Sequence, residues 1–88
     1  MNEQRLRERL KAEGYAEGVL VEWPSNTFND THTHEFSACV LVLEGEITVT
    51  TAEGATTCRA NDTFQLVAGT PHSEQVGPDG VKFLSGRR

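Results

Sequence analysis

The hydrophobic pattern of the chain changes from a helical period to a strand period after Gly14. Leu6 and Leu10 are four residues apart and share one helix face, and Gly14 ends the pattern. We therefore predict a helix over residues 2–13 with Asn2 as its N-cap. Beyond it apolar and polar residues alternate with a period of two, which indicates strands. We expect the helix to cover one end of a barrel or an edge strand.

Strand-like segments recur through the rest of the chain, separated by residues that favour turns. The predicted strands are 18–23, 27–34, 38–43, 46–50, 56–59, 63–67, 72–76 and 81–84. Many short strands joined in this way are typical of a small all-β barrel. We predict an antiparallel barrel of six to eight strands. Residues 1–18 would form the helix and lead-in, and residues 19–88 a single barrel domain.

The segment 38–43, ACVLVL, is apolar on both strand faces. A strand of this kind is expected to be covered on both sides. One face would point into the barrel, and the other is free to meet a partner subunit. A chain of 88 residues also has a limited core of its own. We therefore expect a homodimer.

Charge and composition exclude several classes of partner. The net charge is −5 and the sequence pI is near 5.0, which is unsuited to nucleic acid or to an acidic membrane surface. We interpret the arginines near the N-terminus as a solvated helix face and Arg87-Arg88 as a solvated chain end. Because no apolar run is long enough to span a bilayer, we expect a cytoplasmic protein. Cys39 and Cys58 are isolated and are expected to be reduced. The alternative at Cys39 is a reactive thiol.

All three histidines of the chain fall in one pattern. In a strand, alternate side chains share a face, so His32 and His34 can reach one ion while Thr33 points away. His72 follows a turn at 69–71 and would come from a neighbouring strand. Three neutral imidazoles suit a divalent ion such as iron, manganese, nickel or zinc and leave positions open for ligands. The alternative is three ordinary polar surface histidines.

The first histidine segment of this chain resembles the first motif of the cupin family. That motif consists of a glycine, five residues, His-x-His, three or four residues, a glutamate, six residues and a glycine. His32, His34 and the closing Gly45 are in place, and Asn26 stands at the opening glycine. The glutamate position is Ala38, so the metal-binding glutamate of many cupins is missing.

The second cupin motif is a glycine, five residues, Pro-x-Gly, two residues, a histidine, three residues and an asparagine. Gly69 and His72 match it. Asn61 replaces the first glycine, and asparagine also accepts left-handed backbone geometry. Val67 and Val76 replace the proline and the asparagine.

The resemblance runs from about residue 23 to residue 84 and implies a jelly-roll-like barrel. The chain is similar to small single-domain cupins, which include binding-only, regulatory and enzymatic members, so the fold is better indicated than the function. Three-histidine cupins include iron dioxygenases. The resemblance therefore allows a metal-dependent, dioxygenase-like enzyme without requiring one. The alternatives are a noncatalytic metal-dependent binding or sensor module and a bare scaffold whose histidines bind nothing.

The missing glutamate has a chemical consequence. A divalent ion held by neutral imidazoles keeps its double charge, whereas a carboxylate ligand would lower it. We therefore expect the site to favour a small organic anion or a bidentate oxygen ligand, such as a carboxylate, an enolate or a diketonate.

Two glutamates lie close to the histidines in sequence. Glu74 is two residues beyond His72 and faces the same interior if the strand is unbroken. It is the candidate catalytic residue, able to orient a water, to act as general base or to replace the missing ligand. The alternative is a bulge that sends Glu74 to solvent. Glu35 has the opposite parity to His34 and is expected to face solvent or a subunit contact.

Several other side chains are open to two interpretations. The aromatic residues either line a pocket or fill the core and interfaces. They are Trp23, Phe36, Phe64 and Phe83. The hydroxyls beside the histidines either accept imidazole N–H bonds or are ordinary strand residues. They belong to Thr31, Thr33 and Ser73.

Overall fold

The computed structural model describes residues 3–16 and 18–88. It contains one helix and six strands: α1 (Glu3–Ala12), β1 (Val19–Trp23), β2 (Phe28–His32), β3 (Ala38–Thr51), β4 (Gly54–Arg59), β5 (Thr63–Leu66) and β6 (His72–Arg87). The all-β fold with a short N-terminal helix is confirmed. The predicted cap, Asn2, lies outside the described residues.

All six strands belong to one antiparallel sheet built around β3 and β6. The order along the sheet is β1-β6-β3-β4, and β2 also pairs with β6 while β5 pairs with β3. β3 pairs with β5 through residues 38–41 and with β4 through residues 46–51. β6 pairs with β2 near its start and with β1 through residues 81–85. Each long strand therefore changes its outer partner midway.

Two breaks predicted from the sequence are irregularities inside continuous strands. Segments 38–43 and 46–50 form one strand, β3, whose pairing with β6 shifts register around Glu44 and Gly45. Segments 72–76 and 81–84 likewise belong to one strand, β6. Gly45 has a φ of 75°, and a Cβ there would collide with the carbonyl oxygen of Gly80. The irregularities in the two strands therefore fit against each other and let both continue.

Two asparagines take the backbone conformation that the family motifs assign to glycine. Asn26 has a φ of 60° and Asn61 a φ of 76°. Asparagine visits this left-handed region more readily than most other residues. Both replacements are thus compatible with the turns that the motifs need.

The helix packs on the outer face of β3. Leu6 and Leu10 are buried in a cluster with Cys39, Leu41 and Leu84. The separate inner core consists of Val40, Val42, Ile47, Val49, Cys58, Val76, Val81 and Phe83. The second apolar face of 38–43 is therefore covered by α1 of the same chain and not left for a partner subunit. The helix covers a central strand, not a barrel end or an edge strand.

The last residues belong to the sheet through their backbone, while Arg87 and Arg88 are both exposed, as predicted for a solvated end. β6 continues to Arg87, whose carbonyl accepts a hydrogen bond of 2.7 Å from the N–H of Ala16. Arg88 exchanges backbone hydrogen bonds of 2.8 and 2.9 Å with Ser37. These contacts tie the end of β6 to the segment after α1 and to the segment before β3. Within the described residues no helix has the length and apolar character needed to cross a membrane.

Candidate metal centre

The structure brings the three histidines together at one end of the sheet. His32 ends β2 and lies opposite His72, the first residue of β6. One possible ligand atom from each of His32, His34 and His72 lies within 4.8 Å of the other two. The ring centroids are 4.4 to 5.1 Å apart. The clustering predicted from the spacing is therefore present.

A register shift in β2 contributes to this alignment. Asn29 pairs with Glu74, and His32 pairs with His72, so β2 uses one residue more than β6 between the two pairs. An extra residue of this kind re-aims the side chains that follow it. The cross-strand pairing of His32 with His72 depends on this irregularity.

Backbone contacts also join the two histidine segments. Gly69 has a φ of 81°, and its N–H donates a hydrogen bond of 2.8 Å to the carbonyl oxygen of His34. The N–H of Ala68 donates to Oγ of Ser37 at 3.0 Å. The turn before His72 is thus held against the segment that carries His34.

The orientation of two imidazoles is set by carbonyl oxygens of the backbone. Nδ1 of His32 lies 2.7 Å from the carbonyl oxygen of Asp30, and Nδ1 of His72 lies 2.9 Å from that of Thr70. A carbonyl oxygen only accepts, so Nδ1 carries the proton and Nε2 of the neutral ring has a free lone pair. Backbone carbonyls therefore take the role that we considered for neighbouring hydroxyls, those of Thr31, Thr33 and Ser73.

Glu74 faces the same region from β6. It is only 8% exposed, and its Oε1 lies 3.3 Å from Nε2 of His32 and 3.9 Å from Nε2 of His72. The solvent-facing alternative for Glu74 is therefore wrong. Nε2 of His72 is itself buried and has no hydrogen-bond partner among the described residues. Two imidazole lone pairs and a carboxylate oxygen thus converge.

His34 differs from the other two histidines in its surroundings. Its ring stacks on Phe36, with centroids 4.7 Å apart and planes 17° from parallel. The pKa of His34 is lowered, chiefly because burial disfavours the charged ring, and further by the charges of His32, His72 and Arg87. The neutral form, which is the form that binds metals, is therefore favoured at His34.

The site opens into a cavity of about 620 Å³ with largely apolar walls. All four aromatic residues singled out in the sequence line it, and Phe83 belongs to the inner core as well. Ala38, at the position of the missing glutamate, also lines the wall. The cavity therefore offers room next to the histidines for a small molecule with an apolar body.

Two residues that we weighed as site candidates lie elsewhere. Glu35 is exposed, as expected, although it lies beyond the end of β2. Cys39 is fully buried beneath α1, on the face of β3 opposite to the cavity-lining Ala38 and Val40. Its position does not support a reactive thiol beside the histidines.

Arg87 is the cationic cavity residue that sequence reasoning missed. Its Cζ lies 4.5 Å from the centroid of Phe36, over the ring. Phe83, Ser85 and Arg87 all line the cavity. Continuing the period of two past Leu84 would have placed Arg87 on this inner face.

The donor set fits a divalent metal ion. Imidazole nitrogens suit zinc, iron, nickel and related ions, and a carboxylate beside them is a common ligand or outer partner. Carbonyl oxygens bound to Nδ1 are the usual way in which proteins orient such imidazoles. The buried, unpartnered Nε2 of His72 is explained if it faces a cation.

Comparison with known proteins adds the family. The family model described as "Cupin domain" matches residues 19–85 of this chain. No curated protein matches the sequence significantly.

Solved structures resemble the fold closely at low sequence identity. A structural genomics protein of unknown function from Rhizobium leguminosarum bv. viciae 3841 aligns with a TM-score of 0.76 and 15% identity, over 81% of this chain and 67% of the other. KdgF from Halomonas sp. aligns with 0.67 and 19%, over 81% and 68%. A putative ethanolamine utilization protein Q from Salmonella typhimurium LT2 aligns with 0.69 and 24%, over 88% and 61%. At these identities the likeness establishes the fold alone.

Proposed function

This chain belongs to the cupin family, and we propose that its three histidines hold one divalent metal ion that binds a small organic anion. His32, His34 and His72 are the proposed ligands. Their clustering within 4.8 Å and the adjoining cavity support this assignment. Iron, manganese, nickel and zinc are all compatible with the donor set.

The observation that carries the proposal is the convergence of acceptor atoms without a donor between them. Oε1 of Glu74 lies 3.3 Å from Nε2 of His32 and 3.9 Å from Nε2 of His72. With Nδ1 protonated on both rings, all three atoms present lone pairs to one another. Acceptors in this arrangement, two of them on the buried side chains of His72 and Glu74, are unfavourable unless protons or a cation lie between them. A bound divalent ion satisfies them together.

Glu74 changes the electrostatic argument made from the missing motif glutamate. The sequence suggested a centre that keeps the full double charge of the ion, but the Glu74 carboxylate lies beside the proposed ligand His32. A divalent ion together with this carboxylate would carry a net charge of plus one. When bound, the ion would supply Lewis acidity and coordination positions for an anion. Oε1 of Glu74 would accept a proton or a hydrogen bond from a molecule placed there.

Metal titration of the purified, tag-free protein tests the proposal. We expect one ion per chain, measured by elemental analysis after dialysis. His34→Gln and His72→Gln should each weaken binding by more than the 10- to 100-fold that the loss of an outer partner typically costs. Asn29→Ala, at an amide that lines the cavity, is the control and should bind normally. Full occupancy in both histidine variants, with native circular dichroism, would contradict the assignment.

Turnover measurements decide between an oxygenase and a noncatalytic binding or sensor module. Oxygen consumption by the iron-loaded protein with a diketone or a thiol would support an oxygenase. In that case Glu74→Gln should reduce the rate, and Glu35→Gln, at an exposed carboxylate, should leave it unchanged. A tightly bound ion without turnover would support the binding module.

A further inference from the structure

Arg87 is a cation at the cavity for which residues 3–16 and 18–88 provide no carboxylate partner. Its described side-chain contact is with the face of Phe36, whose ring in turn stacks on His34. Cζ of Arg87 lies 4.5 Å from the Phe36 centroid, and that centroid lies 4.7 Å from the His34 centroid. The guanidinium is therefore no farther from the His34 ring than the sum of these two distances. Its N–H donors remain available for a ligand.

The backbone that carries Arg87 is held on two sides. The carbonyl of Arg87 accepts from Ala16, and the next residue, Arg88, pairs with Ser37. The cation–π contact with Phe36 restrains the side chain as well. Arg87 is exposed, but its paired backbone and its contact with Phe36 restrain it, which lowers the entropy lost when it binds a ligand.

Arg88 forms an internal comparison. Its Cζ lies 4.5 Å from the centroid of Tyr15, and its Nη1 donates a hydrogen bond of 2.8 Å to the carbonyl of Glu13. Tyr15 belongs to the cluster beneath α1, on the outer side of the sheet. The two consecutive arginines therefore face opposite sides, and only Arg87 lines the cavity.

We propose that Arg87 is a second anchor for the anion, so that the ligand is a bifunctional organic acid. This inference rests on the proposed function. One end of the ligand would donate oxygen atoms to the metal centre, and a carboxylate at the other end would pair with the Arg87 guanidinium. Its body would lie between them, against the apolar cavity wall.

The chemistry of arginine supports a carboxylate at this position. The guanidinium presents two parallel N–H donors that match the two oxygens of a carboxylate, and it remains charged at every relevant pH. Among the residues that line the cavity, Arg87 is the one arginine or lysine. One guanidinium, in a cavity that the carboxylates of Asp30 and Glu74 also line, suits a singly charged carboxylate better than a doubly charged phosphate.

The test compares acids of equal length with one or two carboxylates. The metal-loaded protein is titrated calorimetrically with three dicarboxylates, succinate, glutarate and adipate. Each is compared with the monocarboxylate of equal length, which is butyrate, pentanoate or hexanoate, respectively. The wild type should bind at least one dicarboxylate about 10-fold or more tightly than its monocarboxylate, as expected for a charge-assisted hydrogen bond. Arg87→Gln should abolish this preference, and Arg87→Lys should restore part of it. Arg88→Gln removes the same charge from the adjacent residue and should retain the preference.

The possible failures are separable. A wild type that binds no metal overturns the proposed function and this inference with it. A metal-loaded wild type without a preference for dicarboxylates, or an Arg87→Gln variant that keeps the preference, overturns the inference alone. A stronger preference for the monophosphate of a matching alcohol, lost in Arg87→Gln, would replace the carboxylate with a phosphate and also overturn the stated ligand class.

Discussion

Ala38 stands directly opposite Arg87 in the antiparallel pairing of β3 with β6, and both residues line the cavity. Cβ atoms of directly opposed residues in such a pair are about 4.5 to 5.5 Å apart. The position where many cupins have a metal-binding glutamate is therefore occupied here by a methyl group that faces a cation. The position that lacks the glutamate is therefore opposed to an arginine that forms no ion pair within the described part of the chain.

Restoring the glutamate should compete with the ligand. In Ala38→Glu the new carboxylate can reach both the metal centre and Arg87, so we expect tighter metal binding and binding of dicarboxylates weakened by about 10-fold, roughly one charge-assisted hydrogen bond. Ala38→Gln is the neutral control of similar size and should weaken the dicarboxylates less. Overpacking costs about 1 to 3 kcal/mol, so the folding of both variants is checked by urea denaturation. A folded Ala38→Glu that binds dicarboxylates as tightly as wild type would contradict the open three-histidine site.

The metal-free protein should lose stability on acidification through His34. Its pKa is lowered in the native state, chiefly by burial, so the unfolded chain takes up this proton at a higher pH than the folded chain does. The free energy of unfolding should therefore fall as the pH drops through about 6.5, the ordinary value for histidine, towards the native pKa. Urea midpoints in the presence of a chelator measure this. His34→Gln should show a smaller decrease over the same range, and an unchanged decrease would reject this origin.

Metal release should also follow acidification, because imidazole must be neutral to bind. We expect bound metal to be lost as the pH falls below about 6.5, with His34 remaining neutral to lower pH than an ordinary histidine. Elemental analysis after equilibrium dialysis at a series of pH values gives the occupancy. Occupancy unchanged down to about pH 4.5 would count against histidine ligation.

The contact between α1 and β3 should contribute substantially to stability. Leu10 is 1% exposed and packs with Leu41 and Leu84, so Leu10→Ala should lower the free energy of unfolding by about 2 to 5 kcal/mol. Val67→Ala is the control at a site that is 72% exposed and should change it by less than about 0.5 kcal/mol. Chemical denaturation measures both. Equal effects would show that the helix contributes little to the fold.

Homodimer formation remains a prediction, with a different structural basis from the one that the sequence suggested. The outer face of 38–43 is covered by α1, but Val19 and Leu20 on β1, the first strand in the sheet order, are 61% and 49% exposed. Edge strands with apolar side chains tend to pair. We expect a dimer in sedimentation velocity at micromolar concentration and its dissociation in Leu20→Lys. A monomeric wild type would reject the prediction.

The local pattern of the sequence was sufficient to predict the helix, the location of most strand segments and the clustering of the three histidines, but not the continuity of β3 and β6. The alternation in the sequence predicted that His32 and His34 lie together and that Glu35 is exposed. Both predictions hold, although β2 ends at His32 and neither His34 nor Glu35 belongs to a strand. The turn chemistry of Asn26 and Asn61 could be read from the sequence because a preference for left-handed backbone geometry is a local property of the residue.

Tertiary structure decided what depends on pairing between distant segments. Gly86 approaches Leu10 so closely that a Cβ at position 86 would meet the leucine side chain at 2.6 Å. The packing of α1 on the sheet therefore explains why position 86 is a glycine, which the local sequence does not indicate. The same packing covers the outer face of β3. Register between β3 and β6 places Arg87 opposite Ala38, and register between β2 and β6 places His32 opposite His72. Local periodicity carries no information on register, which is determined by the packing of whole strands against one another.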